Sequence, residues 1–323
     1  MAIEKIHIRG ARLESEAVRF DCPDPDPSAP GLCLFLDILK ERRIPIRSLS
    51  RSASGGPCFS HLCFSEKDEE AARAAAARPE LKGRVKMAGR AGILSLFPHR
   101  GRLEILGAFV SALERAGAAP LFMSSSLASL TWGFHVHEME AAVGAVRECF
   151  DAPAIGPPEG GMETEAVYME PRIRIYGARE ARRLSLFEMG MASGPGPCLS
   201  ELGEMGADFE MAFIQSLPGR EPRLFVFLKE RWAREARRRM EGRGAGDFSG
   251  LSESASGADL LFFHGPHFKD RHGVAQAAFD VLKKSGVRLL AGSCSESTLY
   301  AAMPGGGLEK ALPAVAASFE APK

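Results

Sequence analysis

The sequence predicts an α+β fold made of four small βαββαβ units, each an antiparallel sheet with its helices on one face. Three observations predict it. The 323-residue chain repeats itself at an offset of about half its length. A seam rich in Pro, Gly and acidic residues, PAIGPPEGGMETE at 153–165, separates the halves, as a linker would. Each half then divides again into two runs of alternating strand and helix signals.

The repetition is ordered. Ile6–Arg12 (IHIRGAR) aligns with Ile173–Arg179 (IRIYGAR), and Pro30-Gly31 with Pro195-Gly196. Gly117 aligns with Gly286, Ser124 with Ser293 and Phe150 with Phe319, so that all these offsets fall between 165 and 169 residues. A single match would mean little, but several in sequence order indicate duplication of half the chain.

The last quarter shows the unit most clearly. Leu260–His264 reads as a strand and 267–271 as a polar loop. The stretch 273–285 has Val274, Ala278, Val281 and Leu282 at helical spacing, and Gly286 is suited to the turn that ends a helix. Val287–Ala291 and Thr298–Met303 read as strands and Leu308–Phe319 as a second helix. This order is that of a ferredoxin-like unit. The second quarter reads alike, with strands at Ile93–Phe97, Pro120–Met123 and Leu130–Val136, a helix ending at Ala116 and another at Met139–Phe150. The first and third quarters share an opening. Strands Ile6–Arg12 and Ala17–Phe20 are joined by a tight turn, and a loop ending in Pro-Gly leads into a helix. Further strands follow at Ile46–Leu49, Phe59–Phe64, Phe209–Gln215 and Arg223–Leu228, with closing helices at Lys67–Ala77 and Glu230–Glu241. The units are placed at 1–84, 85–152, 166–243 and 257–323, with the linker at 153–165. The extra opening strands are free to complete a neighbouring unit's sheet.

Composition narrows the function. Forty-one Lys and Arg balance 41 Asp and Glu, so there is no global field to attract nucleic acid or an anionic membrane. The start, MAIEKIHIRG, lacks the apolar core of a signal peptide, and no run approaches the length of a spanning helix. Seven cysteines, an odd number without paired spacing, read as reduced thiols in a cytoplasmic protein.

Certain segments resemble ACT domains, and specifically the tandem ACT region of aspartate kinases. The family has a loop with Pro-Asp then Pro-Gly leading into a helix, and a strand running into a Gln-Asn or Gln-Ser turn. Here these are VRFDCPDPDPSAPGLCLFLDIL at 18–39 and FIQS at 213–216. The family's Ser-Thr-Ser-Glu turn corresponds to Ser293-Cys294-Ser295-Glu296, while Ser124-Ser125-Ser126-Leu127 keeps the serines and loses the Glu. The resemblance covers nearly the whole chain twice over. It implies that units one and two pair side by side, and three and four likewise, giving two tandem pairs with amino-acid effectors at their interfaces. Lysine and threonine are the effectors it implies.

A helix N-terminus presents unpaired N–H groups and partial positive charge, which suits the carboxylate of an amino acid. In the fourth unit Gly273, Val274 and Ala275 would offer amides, Asp270 would take the ammonium, and Ser293, Ser295, Glu296 and Ser297 would line the facing turn. The bland alternative is that Asp270 only caps its helix and the serines only make a turn. In the first unit Asp24 and Asp26 precede Gly31, and in the third Gly196 is kept with Gln215 and Ser216, but the loop 188–195 has no aspartate. In the second unit Glu104 falls where Gly273 lies and would repel a carboxylate, leaving His99 and Arg100 as alternative anion binders.

Other clusters are read as structural. Cys58, His61 and Cys63 lack the spacing of a zinc knuckle, and His264, His267 and His272 share one loop, so no metal is expected. His135 and His137 share one face of a strand and read as exposed. The arginines of 230–243 alternate with glutamates at helical pair spacing, as on a solvated face. No G-x-x-x-x-G-K-[ST] or G-x-G-x-x-G loop is present, and the first repeat starts within ten residues of Met1. The expectation is therefore a non-catalytic amino-acid-binding regulatory protein, not an enzyme, with no cofactor. Its partner would be a second copy or a regulated biosynthetic enzyme. The alternative is a structural module, or a detached regulatory subunit, with degenerate pockets.

Overall fold

The computed structural model describes residues 5–24, 31–53, 58–156, 172–216, 219–242, 246–248, 250–266, 268 and 271–320. In chain order the elements are β1 (Ile6–His7), β2 (Gly10–Asp24), α1 (Gly31–Glu41), β3 (Ser48–Ser52), β4 (Cys58–Ser65), α2 (Glu69–Ala76), β5 (Lys86–Phe97), α3 (Leu103–Ala116), β6 (Phe122–Ser125), β7 (Leu130–Phe134), α4 (Met139–Cys149), β8 (Phe150–Asp151), β9 (Ala154–Gly156), β10 (Gly177–Gly190), α5 (Pro195–Glu204), β11 (Phe209–Gln215), β12 (Arg223–Lys229), α6 (Glu230–Glu241), β13 (Ser252–His264), α7 (Val274–Lys284), β14 (Ala291–Ser295), β15 (Thr298–Pro304) and α8 (Leu308–Ser318).

The chain forms two compact units, each gathered from separated stretches. Unit 1 holds 1–16, 91–160 and 183–256, and unit 2 holds 17–90, 161–182 and 257–323. In unit 1 the strands run β10-β12-β11-β6-β7-β5-β2-β9. Its core is one cluster in which Leu94, Met123, Trp132, Phe187, Ile214 and Val226 of the sheet meet Phe109, Ala142, Leu199 and Ala233 of α3, α4, α5 and α6. In unit 2 the order is β2-β4-β3-β14-β15-β13. There Phe20, Leu49, Phe64, Phe263, Cys294 and Ala301 meet Phe35, Ala72, Phe279 and Leu308 of α1, α2, α7 and α8. Because strand side chains alternate between faces, membership of these clusters shows that the helices of each unit cover one face of its sheet.

The predicted tandem pairing is corrected by the register. In unit 1, Phe213, Ile214 and Gln215 pair with Ser124, Met123 and Phe122, joining the third quarter to the second. In unit 2, Ala291–Ser295 pair with Ser52–Ser48, joining the fourth quarter to the first. β2 also departs from the prediction. It runs unbroken from Gly10 to Asp24, where a tight turn was expected, with Gly10–Glu16 in unit 1 and Ala17–Asp24 in unit 2. Duplication gives alternate quarters the same free edge, so an odd quarter of one half can meet the even quarter of the other.

Of the opening strands, β1 joins β8 in a separate two-stranded sheet, and the start of β2 pairs with β9 at the edge of the large sheet. Ile6 and His7 pair with Phe150 and Asp151, and Gly10–Arg12 with Ala154–Gly156. The second half repeats the contact, with Arg174 bridging Glu320. Most of the predicted linker, 157–165, lies outside the described residues.

Several elements have shifted bounds. The strand expected at Val287–Ala291 is Ala291–Ser295, so Ser293-Cys294-Ser295 is strand and the turn is Glu296-Ser297, with Glu296 at φ 52°. His135 and His137 follow β7 in a short 3-10 turn rather than lying on a strand, and their exposed rings stack at 5.4 Å. Helices α3 and α5 cross closely because Gly107 lies against the backbone of Ser200 and Gly203 against that of Glu104.

Candidate functional site

At the end of β2 in unit 2, Asp24 is 1% exposed. It faces the helical side, as do Phe20 and Cys22 on the same strand. Its Oδ2 accepts a hydrogen bond from Arg51 Nη1 of β3 at 3.0 Å, and Arg51 also donates to Ser60 Oγ at 3.3 Å. Its other oxygen, Oδ1, lies over the Cα of Gly31 at the start of α1, where any side chain would strike it. Among the described residues Oδ1 has no hydrogen-bond partner. Leaving such an oxygen buried and unpaired costs about 1–3 kcal/mol or more. This carboxylate, a helix N-terminus and a half-buried guanidinium thus converge on one place.

Three thiols line the same end. Cys22 and Cys58 flank Asp24 on β2 and β4, and Cys33 is in the first turn of α1. Burial pushes all three up from the ordinary thiol value, so they remain protonated and inert. Asp26, the second predicted acid of this loop, lies outside the described residues.

The α7 site of the fourth unit is built differently. Gly273 precedes the helix at φ 79°, a left-handed conformation that glycine adopts without strain. Val274 and Ala275 are buried in the first turn. The stem of Lys40 lies against Gly273, and burial together with Arg271, Arg43 and Lys40 pushes His272 down. Asp270 lies outside the described residues. Ser293 and Ser295 are 0% and 2% exposed. They alternate with Cys294 of the core, so their hydroxyls face away from the helices, and neither Oγ has a partner among the described residues. Glu296 is half-buried and Ser297 exposed in the turn that follows, with the Ser297 carbonyl accepting Gly265 N–H at 3.0 Å. The structure therefore does not bring Ser293 and Ser295 to the face carrying the α7 N-terminus.

Unit 1 fills its own helix starts. Gly196 of α5 donates its N–H to Glu114 Oε1 at 3.3 Å, and Met189 stands where Asp24 stands in the first half. At α3 the Leu103 N–H donates to Ala207 O, and Glu104 pairs with Arg102. His99 is 4% exposed. Its Nδ1 accepts Gly101 N–H at 2.9 Å, which fixes the proton on Nε2, and that nitrogen donates to Ser126 O at 2.8 Å. Both ring nitrogens are spent, so His99 offers an anion nothing. Gln215 is buried at the end of β11, and Ser216 Oγ donates to Leu121 O at 2.6 Å. The cavity beneath α5 is lined by apolar side chains such as Phe187, Met189, Leu202 and Leu224, which cannot solvate a zwitterion.

Sequence reasoning missed Arg51. The signal available was a lone arginine in an otherwise serine-rich strand, Ser48-Leu49-Ser50-Arg51-Ser52. Among the described residues no group of three or more His, Cys, Asp or Glu is placed to hold a metal, and no helix is long and apolar enough to cross a membrane.

No family model matches the chain, and no curated protein sequence matches it. A solved structure does. The aspartate kinase from Synechocystis matches with a TM-score of 0.78 over 96% of this chain at 12% identity. The fold is similar to that of an aspartate kinase. This chain spans 55% of the length of that one. The ligand-free regulatory subunit of aspartate kinase from Thermus thermophilus (16% identity, 45% of this chain, 99% of that chain, TM-score 0.41) and E. coli aspartokinase III with aspartate and ADP (14%, 46%, 35%, 0.32) match too loosely to bear on the fold.

The expectation of a non-catalytic chain that is not an enzyme is overturned here, because the structure that matches almost the whole chain is an enzyme. Nor does that match favour the alternative of a detached subunit or structural module with degenerate pockets.

Proposed function

We propose that this chain serves aspartate-kinase-type activity and binds an amino acid at the start of α1 in unit 2. The observation that carries the reading is the buried, unpartnered Oδ1 of Asp24 above Gly31. An ammonium would satisfy that oxygen, and the first amides of α1 would receive the carboxylate. Arg51 holds the other oxygen of Asp24, so the side chain is fixed before any ligand arrives. In this reading each unit is a side-by-side pair of ACT domains, the second with the third and the first with the fourth. Support comes from the β11–β6 and β14–β3 pairings, which build continuous sheets with all helices on one face. Unit 1 serves structure, since Glu114 already occupies the first amides of α5 and Ala207 O accepts the Leu103 N–H of α3.

The test has two parts. Thermal shift against the twenty amino acids, lysine and threonine included, should show stabilisation by one or two. A ligand at a hundred times its Kd contributes about 2.7 kcal/mol, and Asp24→Asn should remove the response. ATP-dependent phosphorylation of aspartate should be measurable and should change in rate with the same amino acid. A flat screen on the wild-type chain sinks the binding site, and absent phosphorylation sinks the activity.

A further inference from the structure

Two histidines in the turn between β7 and α4 of unit 1 belong to no core and to no amino-acid site. His135 ends the extended stretch at φ −58° and ψ 142°, and Val136–Glu138 form the short 3-10 turn that follows. Residues two apart in extended backbone point the same way. The rings of His135 and His137 lie side by side, with centres 5.4 Å apart and planes 20° from parallel. Both residues are exposed, and Val136 between them is 45% exposed. Among the described residues neither ring has a hydrogen-bond or ion-pair partner. Other histidines are engaged, His7 with Asp151, His61 with Asp21 and His99 with Ser126.

The spacing has a chemical meaning. A zinc-type cation bonded at about 2.0–2.1 Å to one nitrogen of each ring, with about 90–120° between the bonds, sets the ring centres about 4.5–5.5 Å apart. The observed 5.4 Å falls within that range. The rings have only to turn about their Cβ–Cγ bonds to aim one nitrogen each at a common point, and their exposure leaves that rotation free. Imidazole suits zinc, copper and nickel, whereas calcium and magnesium take oxygen ligands. The carboxylate of the same turn does not compete for the rings. Glu138 is partly buried, and its Oε1 accepts the Ala119 N–H at 3.4 Å.

We infer that His135 and His137 form a two-ligand chelate for a divalent cation of the zinc, copper or nickel type, with the remaining coordination positions open to water. Calorimetric titration of the full chain with zinc sulfate and with copper(II) sulfate at pH 7.5 tests this. One ion per chain should bind, copper more tightly than zinc. The copper form should show splitting from two nitrogens in its electron paramagnetic resonance spectrum. His135→Gln and His137→Gln should each weaken binding about tenfold or more, and binding should be lost at pH 5, because a ligating imidazole must be neutral. Both positions are exposed, so unfolding without metal should be unchanged. His7→Gln, at another exposed histidine, should leave the affinity as it was. An affinity unchanged in both His135→Gln and His137→Gln means an adventitious ion only and overturns the site, as does the absence of binding to the wild-type chain. A loss in only one of the two variants means a single-imidazole contact and overturns the chelate.

Discussion

Arg51 of β3 donates from Nη1 to Oδ2 of Asp24 at 3.0 Å, with the arginine side chain 13% exposed and the aspartate 1%. The pair couples two strands of unit 2 and leaves the second carboxylate oxygen pointing at the first turn of α1. A buried charge pair of this kind contributes little net stability when intact but is expensive to break from one side, because the remaining charge stays out of water.

Arg51→Met should therefore destabilise unit 2 by about 3 kcal/mol or more, read as a shift in the midpoint of denaturant unfolding at neutral pH. Asp24→Asn keeps the shape and an acceptor for Arg51, so it should cost less while abolishing the response to amino acids. Equal losses in the two variants would mean that Asp24 acts only as the partner of Arg51.

His99 should make stability fall in acid. Burial holds its pKa below the ordinary 6.5, and protonation of Nδ1 would set an N–H against the N–H of Gly101. The neutral form is favoured in the folded state. The contribution is therefore complete above the unfolded value, and it is lost as pH falls from 6.5 through the lower folded value. Unfolding midpoints at pH 7.5 and pH 5 should differ more for the wild-type chain than for His99→Gln. An equal pH dependence in both would contradict the assignment.

Gly203→Ala sets helix propensity against packing. Propensity alone predicts a gain of about 1 kcal/mol, since Gly203 lies within α5. Its missing side chain is where the backbone of Glu104 passes, so an added methyl forces α3 and α5 apart at a cost of about 1–3 kcal/mol. The predicted net sign, read from the unfolding midpoint, is destabilisation.

Ser293→Ala removes a buried hydroxyl that has no partner among the described residues. It should be neutral or stabilising by about 1 kcal/mol in chemical denaturation. Because the hydroxyl faces away from α1 and α7, the amino-acid response should be unchanged, and a lost response would return Ser293 to the site.

Much of the local structure was legible. Phe209–Gln215 and Glu230–Glu241 fall where alternation and helical spacing place them, and the turns after α3 and α7 carry Gly117 and Gly286 at φ 68° and 69°. Asp24 and Gly31 were singled out from the sequence, and they meet. Arg51 was not, because its role depends on β3 lying beside β4 and bringing it to Asp24 and Ser60, a contact between residues 27 apart. The register of β14 was misplaced by four residues. A short apolar run before a serine-rich one reads as the strand, although burial on both faces lets serines serve equally well within a ladder.

The amino-acid sequence by itself determined the duplication, the order of strands and helices, and the acidic loop at the start of α1. Those follow from local periodicity and from repeated residues. Which quarters share a sheet was decided only by the tertiary structure, since equivalent edges are chemically alike and local periodicity cannot choose between them. The unequal helix starts were decided the same way. Asp24 is left with an open oxygen because Arg51 takes the other, and Gly196 is closed because Glu114 reaches it from a neighbouring helix.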